Sequence, residues 1–350
     1  MKQIDDFDIE SEIKNRSIFN KKLKLITEKL NLDYIGRGFD SITVERTSRV
    51  NNDIILSECV GDLITQDDLS TWDKICEQTS KKLIIITDNI LLNTSVIMTD
   101  NIAVLSVPEL LSITCNLDKK LFNEKDKCNK LFNCFIHRTS AIRQTFFYNV
   151  VQYLNLDDCF ISMHCYEPFL DISPKEAFEL THKNGEMYKD GGFKKVFDEY
   201  KEKVPFKNFQ DIDGNLHKLI QKSKYSVILE TYGEEDNSLF ICVTEKTTRA
   251  LTSLPIILLF SQRKTVEILE KLGFSVNKIT RKNDDFDNYW DRLFEIINIL
   301  YYDDKSSYDI NIQQKNAEKN IKLLQSWYNK IFNTDFLESL IKKELENIKC

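Results

Sequence analysis

The stretch Tyr225-Ser-Val-Ile-Leu-Glu230, carried on through Val243-Thr-Glu-Lys-Thr-Thr-Arg-Ala-Leu251 and Pro255-Ile-Ile-Leu-Leu-Phe260 to Leu272-Gly-Phe274, decides the fold. An apolar strand ending in a carboxylate leads through an acidic loop into a helical pattern, then into a second apolar strand and a second helix. That order belongs to a parallel α/β sheet, in which ligands sit where a strand hands over to a helix. The polar groups of the stretch, Glu230 and the turn Thr244-Glu-Lys246, stand at that handover.

Upstream, Ile54-Ile-Leu56, Leu83-Ile-Ile-Ile86 and Ile102-Ala-Val-Leu105 are short apolar runs bounded by polar turns, and Phe19 to Leu30 is apolar at helical spacing. Short buried strands separated by helices predict a parallel sheet here too. The charge-rich stretch Asn116 to Lys130 has no apolar periodicity beyond Leu121 and Phe122, and it reads as a linker between domains at 1–120 and 121–310. Past it, Leu131-Phe-Asn-Cys-Phe-Ile136 reads as a strand, Ala141 to Leu154 as a helix with Ile142, Phe146, Phe147, Val150, Val151 and Leu154 on its apolar face, and Phe160-Ile-Ser-Met163 as the next strand. Pro168 to Asn215 is polar and stays unassigned, while the tail, 311–350, carries amphipathic helical patterns over Ile321 to Phe332 and Phe336 to Ile348.

At 350 residues, 42% hydrophobic and 29% charged, the composition is that of a globular protein large enough for two domains. The longest apolar run, Leu254 to Phe260, is far short of the ~20 residues that cross a bilayer, and the acidic opening is no signal peptide, so no membrane span is expected and the location read is cytoplasmic, the host cytoplasm if the chain is viral. The nine cysteines are odd in number and scattered without a Cys-x-x-Cys pair, so neither a disulfide framework nor a zinc finger is indicated. Cys159, His164 and Cys165 form one cluster, explained better by alternation along a half-buried strand than by zinc, which wants a fourth ligand. A net charge of −7 argues against a uniformly basic nucleic-acid binder. Lys21, Lys22 and Lys24, with Lys194, Lys195, Lys201 and Lys203, form either a local basic groove or solvated helix faces.

Two constellations could carry chemistry. In His137-Arg-Thr-Ser-Ala-Ile-Arg143, Thr139 or Ser140 is a candidate N-cap, the free amides behind it favour an anion, and Arg143 in the first turn could fork onto a phosphate. The alternative for Arg143 is a surface residue lying over Phe146 and Phe147. In the second constellation, Thr244 caps a helix that begins Glu245-Lys246, with Arg249 on the face of Lys246. Glu245 suits the positive end of a helix whatever the function, whereas Lys246 does not unless an anion is present. A carboxylate there could accept from both ribose hydroxyls while Lys246 neutralises a diphosphate, and Glu230 would line the same pocket.

The segment Tyr225 to Phe274 resembles the donor-binding half of glycosyltransferases of the α-1,3-fucosyltransferase type and of related-looking phage and viral glycosyltransferases. The match is carried by Ile228-Leu-Glu230, Thr244-Glu-Lys246 with Arg249, Pro255 to Phe260 and Leu272-Gly-Phe274, and upstream by Ala141-Ile-Arg143-Gln-Thr-Phe-Phe147. It spans Leu131 to Leu300. The resemblance implies a GT-B-like fold, two Rossmann-like domains facing a cleft, with an acceptor-side domain over 1–120, a donor domain over 121–310 and C-terminal helices packing back. It also implies that Arg143 and Lys246 hold the diphosphate of a nucleotide sugar, that Glu245 binds the ribose, and that Glu230 helps to shape the pocket. Such enzymes generally need no bound metal or other cofactor, in keeping with the lack of an Asp-x-Asp in a strand-end context.

Two departures stand out. The loop Thr231 to Asn237 is longer and more acidic than the resemblance calls for, and His137-Arg138 replaces a Ser-Asn pair, so that Arg138 either adds a phosphate contact or faces solvent. Inverting chemistry of the implied kind needs a carboxylate base from the first domain. Asp40 after the turn Ile35-Gly-Arg-Gly38, Glu58 after Ile54 to Leu56, and Asp88 after Leu83 to Ile86 are the candidates. The acceptor is a small glycan, a lipid- or protein-linked sugar, or a hydroxymethylated base in DNA, the last requiring a basic groove and base flipping. A non-catalytic binding or scaffold protein on the same fold is the reading from another class.

Overall fold

The computed structural model describes residues 7–38, 41–59, 63–91, 99–114, 128–136, 141–155, 158–163, 220–230, 240–302 and 308–349. Among the described residues it is a mixed α/β protein with two separate four-stranded parallel sheets, compatible with Rossmann-like architecture. The chain divides into two compact units, one of residues 7–119, 235–249 and 318–350, the other of residues 1–6, 120–234 and 250–317.

In the first unit the sheet holds β1 (Asp33–Arg37), β2 (Ile54–Cys59) and β3 (Lys82–Thr87), then, past the short β4 (Ile90–Leu91), β5 (Ile102–Ser106), in the order β1-β2-β3-β5. The apolar runs are buried on both faces because both are covered, which is why they read as continuous rather than alternating. One face, with Leu56, Ile84, Ile86, Ala103 and Leu105, packs against Phe19, Leu23 and Ile26 of α1 (Phe7–Leu30). The same cluster takes in Leu337, Ile341, Leu345 and Ile348 at the C-terminus of the chain. Both sets recur at helical spacing and form one stripe each. The other face, with Ile55, Leu83 and Ile85, follows from strand alternation. It is covered from the crossover between β2 and β3, where Leu69, Trp72 and Cys76 are buried.

Helix α2 (Val44–Ser48) and α3 (Gln66–Thr79) fill the crossovers. A capping box starts α3: Thr65 Oγ1 accepts from Asp68 N at 3.2 Å and Asp68 Oδ2 accepts from Thr65 N at 2.8 Å. The sequence reading makes Ile35-Gly-Arg-Gly38 a turn; instead Gly36 lies within β1, where the register shifts between Tyr34 and Arg37, and only Gly38 lies beyond the strand. Positive φ at both glycines, 108° and 87°, explains the residue type.

In the second unit the strands are β6 (Lys130–Ile136), β7 (Cys159–Met163), β8 (Ser223–Leu229) and, after the two-residue β9 (Phe240–Ile241), β10 (Ile256–Phe260). Their order is β10-β8-β6-β7, all parallel. Helix α4 (Ala141–Tyr153) joins β6 to β7. Its Phe146, Phe147 and Val150 pack with Phe132, Tyr225, Val227 and Leu258, and with Leu293, Ile296 and Leu300, in one core. Phe132 and Phe146 meet edge to face at 6.1 Å. The remaining helices are α5 (Glu245–Leu251), α6 (Thr265–Lys271), α7 (Lys278–Asp284), α8 (Tyr289–Tyr302), α9 (Ile310–Ile331) and α10 (Thr334–Lys349). Leu272-Gly-Phe274 ends α6 as the pattern predicts, with Gly273 at φ 100° and Phe274 N donating to Leu269 O at 3.0 Å.

From β6 the chain steps to β7 on one side and returns to place β8 on the other. The order in which the strands are laid down therefore reverses between β6 and β8, and the crevice beyond their carboxyl ends is where a parallel sheet offers a ligand site.

Candidate functional site

Two of the residues singled out from the sequence stand at that reversal. Arg143, the third residue of α4, is 3% exposed. Its Nε and Nη2 donate to Leu229 O, the last carbonyl of β8, at 3.2 and 2.8 Å. A surface residue lying over Phe146 and Phe147 is thereby excluded. A guanidinium that stays charged at every accessible pH must be compensated when buried, and here a strand-end carbonyl supplies part of that. Glu230 follows Leu229, is also buried, and its N donates to Phe260 O at 2.9 Å, extending the β8–β10 pairing by one residue. His137 to Ser140, and with them Arg138 and both candidate caps, lie outside the described residues.

The second constellation begins as expected: Thr244 Oγ1 accepts from Lys246 N at 3.3 Å, and Thr248 N donates to Thr244 O at 3.3 Å. Lys246 and Arg249 are partly exposed, and Thr247 and Thr248 are buried; the side chain of Glu245 lies outside the described residues. By its contacts the stretch 235–249 belongs to the unit of 7–119, although the sequence reading groups it with 121–310. The reason is β9, which pairs antiparallel with β4, Ile90 opposite Ile241 and Leu91 opposite Phe240. Phe240, Ile241, Cys242 and Val243 are all buried. In an antiparallel ribbon the residues before one strand and after the other lie at the same end, so Asp88-Asn89 and Thr244-Lys246 share one end of this ribbon. Arg143 and Glu230 belong to the other unit.

Of the three base candidates, Asp40 lies outside the described residues. Glu58, 3% exposed, is inside β2, where its Oε2 accepts from Tyr34 Oη at 3.3 Å and its carbonyl accepts from Gly38 N at 2.8 Å. Asp88, 5% exposed, is the first residue beyond β3 and accepts at Oδ1 from Asn89 Nδ2 at 3.2 Å. Glu58 is registered with Ile86, still within the β2–β3 ladder and two residues short of Asp88, which stands past its carboxyl end.

Asn89 and the β4–β9 ribbon are missing from the sequence reading. An Asp-Asn pair straight after an apolar run is a turn signal that could have drawn attention to the first. The second pairs two residues with two others some 150 positions away and leaves no local trace.

The basic runs divide. Lys22 Nζ donates to Phe332 O and so ties α1 to the chain's C-terminal part, while Lys21 and Lys24 are exposed on α1. Lys194 to Lys203, like His164 and Cys165, lie outside the described residues. Cys159 is buried in β7 with its Sγ 3.6 Å from Asn155 O. The Cys76 thiol is pushed up to about 12 by burial, which keeps it protonated and unreactive. Among the described residues no group of three His, Cys, Asp or Glu side chains converges as a metal site, and no helix is long and apolar enough to cross a membrane. Compared with known proteins, the chain matches no family model and no curated protein.

Proposed function

We propose that this protein is a glycosyltransferase of the GT-B type, moving a sugar from a nucleotide-diphosphate donor to an acceptor hydroxyl with inversion and without a metal. The observation that carries the reading is Arg143: a buried guanidinium in the first turn of α4, bonded to the end of β8 and next in space to the start of Glu230, at the reversal point of a parallel sheet. A fixed, permanently charged fork in such a crevice suits the developing charge on a leaving diphosphate. Thr244, Glu245, Lys246 and Arg249 enter the reading as donor-binding residues through the resemblance, with Lys246 neutralising diphosphate and Glu245 taking the ribose.

The test is release of nucleoside diphosphate from UDP-glucose, UDP-N-acetylglucosamine, GDP-fucose and GDP-mannose, with water or a simple sugar as acceptor. Turnover of one donor, unchanged by EDTA and lost in Arg143→Lys, is the expected result. Turnover of none, together with no binding of any of the four, removes the reading and favours a binding protein on the same fold.

A further inference from the structure

We infer that Asp88 is the catalytic base of the proposed transfer and Asn89 its positioning residue, an inference that rests on the transferase reading. Glu58 sits within β2 on the strand face that Ile54 and Leu56 turn to the core, with Tyr34 as its partner, and so behaves as part of the sheet. Asp88 stands beyond the end of β3, which has β2 on one side and β5 on the other, at the edge where a parallel sheet binds ligands.

Asn89 is fully buried and joins three segments of the chain. Its N–H donates to Thr87 Oγ1 at 3.1 Å and its carbonyl accepts from Ser106 Oγ at 2.5 Å. Its Oδ1 accepts from Ile64 N at 3.0 Å, which leaves Nδ2 to donate to Asp88 Oδ1 at 3.2 Å. A local turn requires none of the bonds to Ile64 and Ser106. A reacting carboxylate does require that its orienting amide be locked from further out. Independently, the β4–β9 ribbon brings Thr244-Lys246 to the same end as Asp88.

In the reaction the Asp88 carboxylate takes the proton of the acceptor hydroxyl as that oxygen bonds to the anomeric carbon. The bond from that carbon to the diphosphate oxygen breaks, and the nucleoside diphosphate leaves with the electron pair.

The experiment measures nucleoside diphosphate release from the donor that wild type turns over, in Asp88→Asn, Asn89→Ser and Glu58→Gln. Asp88→Asn should slow release by about 10²–10⁴-fold while nucleoside diphosphate affinity stays within about threefold of wild type. Asn89→Ser removes a donor to the ionised carboxylate, which raises its pKa. The acidic limb of kcat/KM therefore moves to higher pH, a shift that mere loss of stability does not produce. Should Asp88→Asn not fold, Asp88→Glu, which keeps the charge and moves it by one methylene, answers the same question: a folded variant slowed at least about tenfold supports the assignment. Wild-type rates in either Asp88 variant, or the large loss in Glu58→Gln instead, overturn it and leave the transferase reading standing. A wild type that binds and turns over no donor overturns both.

Discussion

Arg143→Ala and Lys246→Ala, two changes that remove one cation each, should part company in a melting experiment. Arg143 is 3% exposed and bonded twice to Leu229 O, so truncation withdraws a charge-assisted fork worth about 1.5–3 kcal/mol. It also strips two buried methylenes, about 0.8 kcal/mol each. Removing the charge relieves its desolvation, which offsets part of that loss, and about 2–4 kcal/mol remains. For a folded unit of this size that lowers the melting temperature by about 5–15 °C. Lys246 is partly exposed in the first turn of α5, where a cation is mildly unfavourable, and its loss should change stability by no more than about 0.5 kcal/mol. Differential scanning calorimetry on the two variants and wild type reads the contrast directly. An Arg143→Ala protein melting with wild type would refute the buried fork.

Other perturbations follow from the same geometry. Burial pushes the Asp284 carboxyl up to about 6, against the help of Arg292 and of the amide of Glu267, whose N donates to Asp284 Oδ2 at 3.3 Å. A folded pKa above the unfolded one means that the folded state holds the extra proton, so stability should fall as pH rises from about 4 to about 6, by at most about 3 kcal/mol, and then level off. Urea titrations of wild type and Asp284→Asn check this, the variant losing the slope. Gly38→Ala should cost about 1 kcal/mol in the same assay although an added Cβ meets nothing within 4 Å, because φ at 87° strains any L-residue. Ile341→Ala, at a fully buried position on α10, should cost about 2–4 kcal/mol.

What the residues disclosed in advance follows from where the burial is. Ile54 to Leu56, Leu83 to Ile86, Ile102 to Leu105, Leu131 to Ile136 and Ile256 to Phe260 all lie in strands of parallel sheets, because two-sided burial writes an uninterrupted apolar run. Helix α1 starts at Phe7, well before the apolar spacing from Phe19 suggests. Part of its early half is held by polar contacts, Asn15 donating to Ile113 O at 3.3 Å and accepting from Tyr328 Oη at 3.0 Å, which periodicity does not register. Similarly, the helix expected over Ile321 to Phe332 begins at Ile310. At the site, the Thr244 cap was legible because capping is local chemistry. The burial of Arg143 and the hub at Asn89 were not, since both depend on partners brought in by the fold, Leu229 in one case and Ile64 and Ser106 in the other.

Isothermal titration of wild type and Lys246→Ala with UDP, GDP, ADP and CDP tests the proposed nucleotide-diphosphate site most directly. Lys246→Ala is the variant of choice because its fold should be intact. The prediction is micromolar binding of one nucleoside diphosphate to wild type, weakened at least about tenfold, or about 1.4 kcal/mol, in the variant. Binding of none of the four would contradict it.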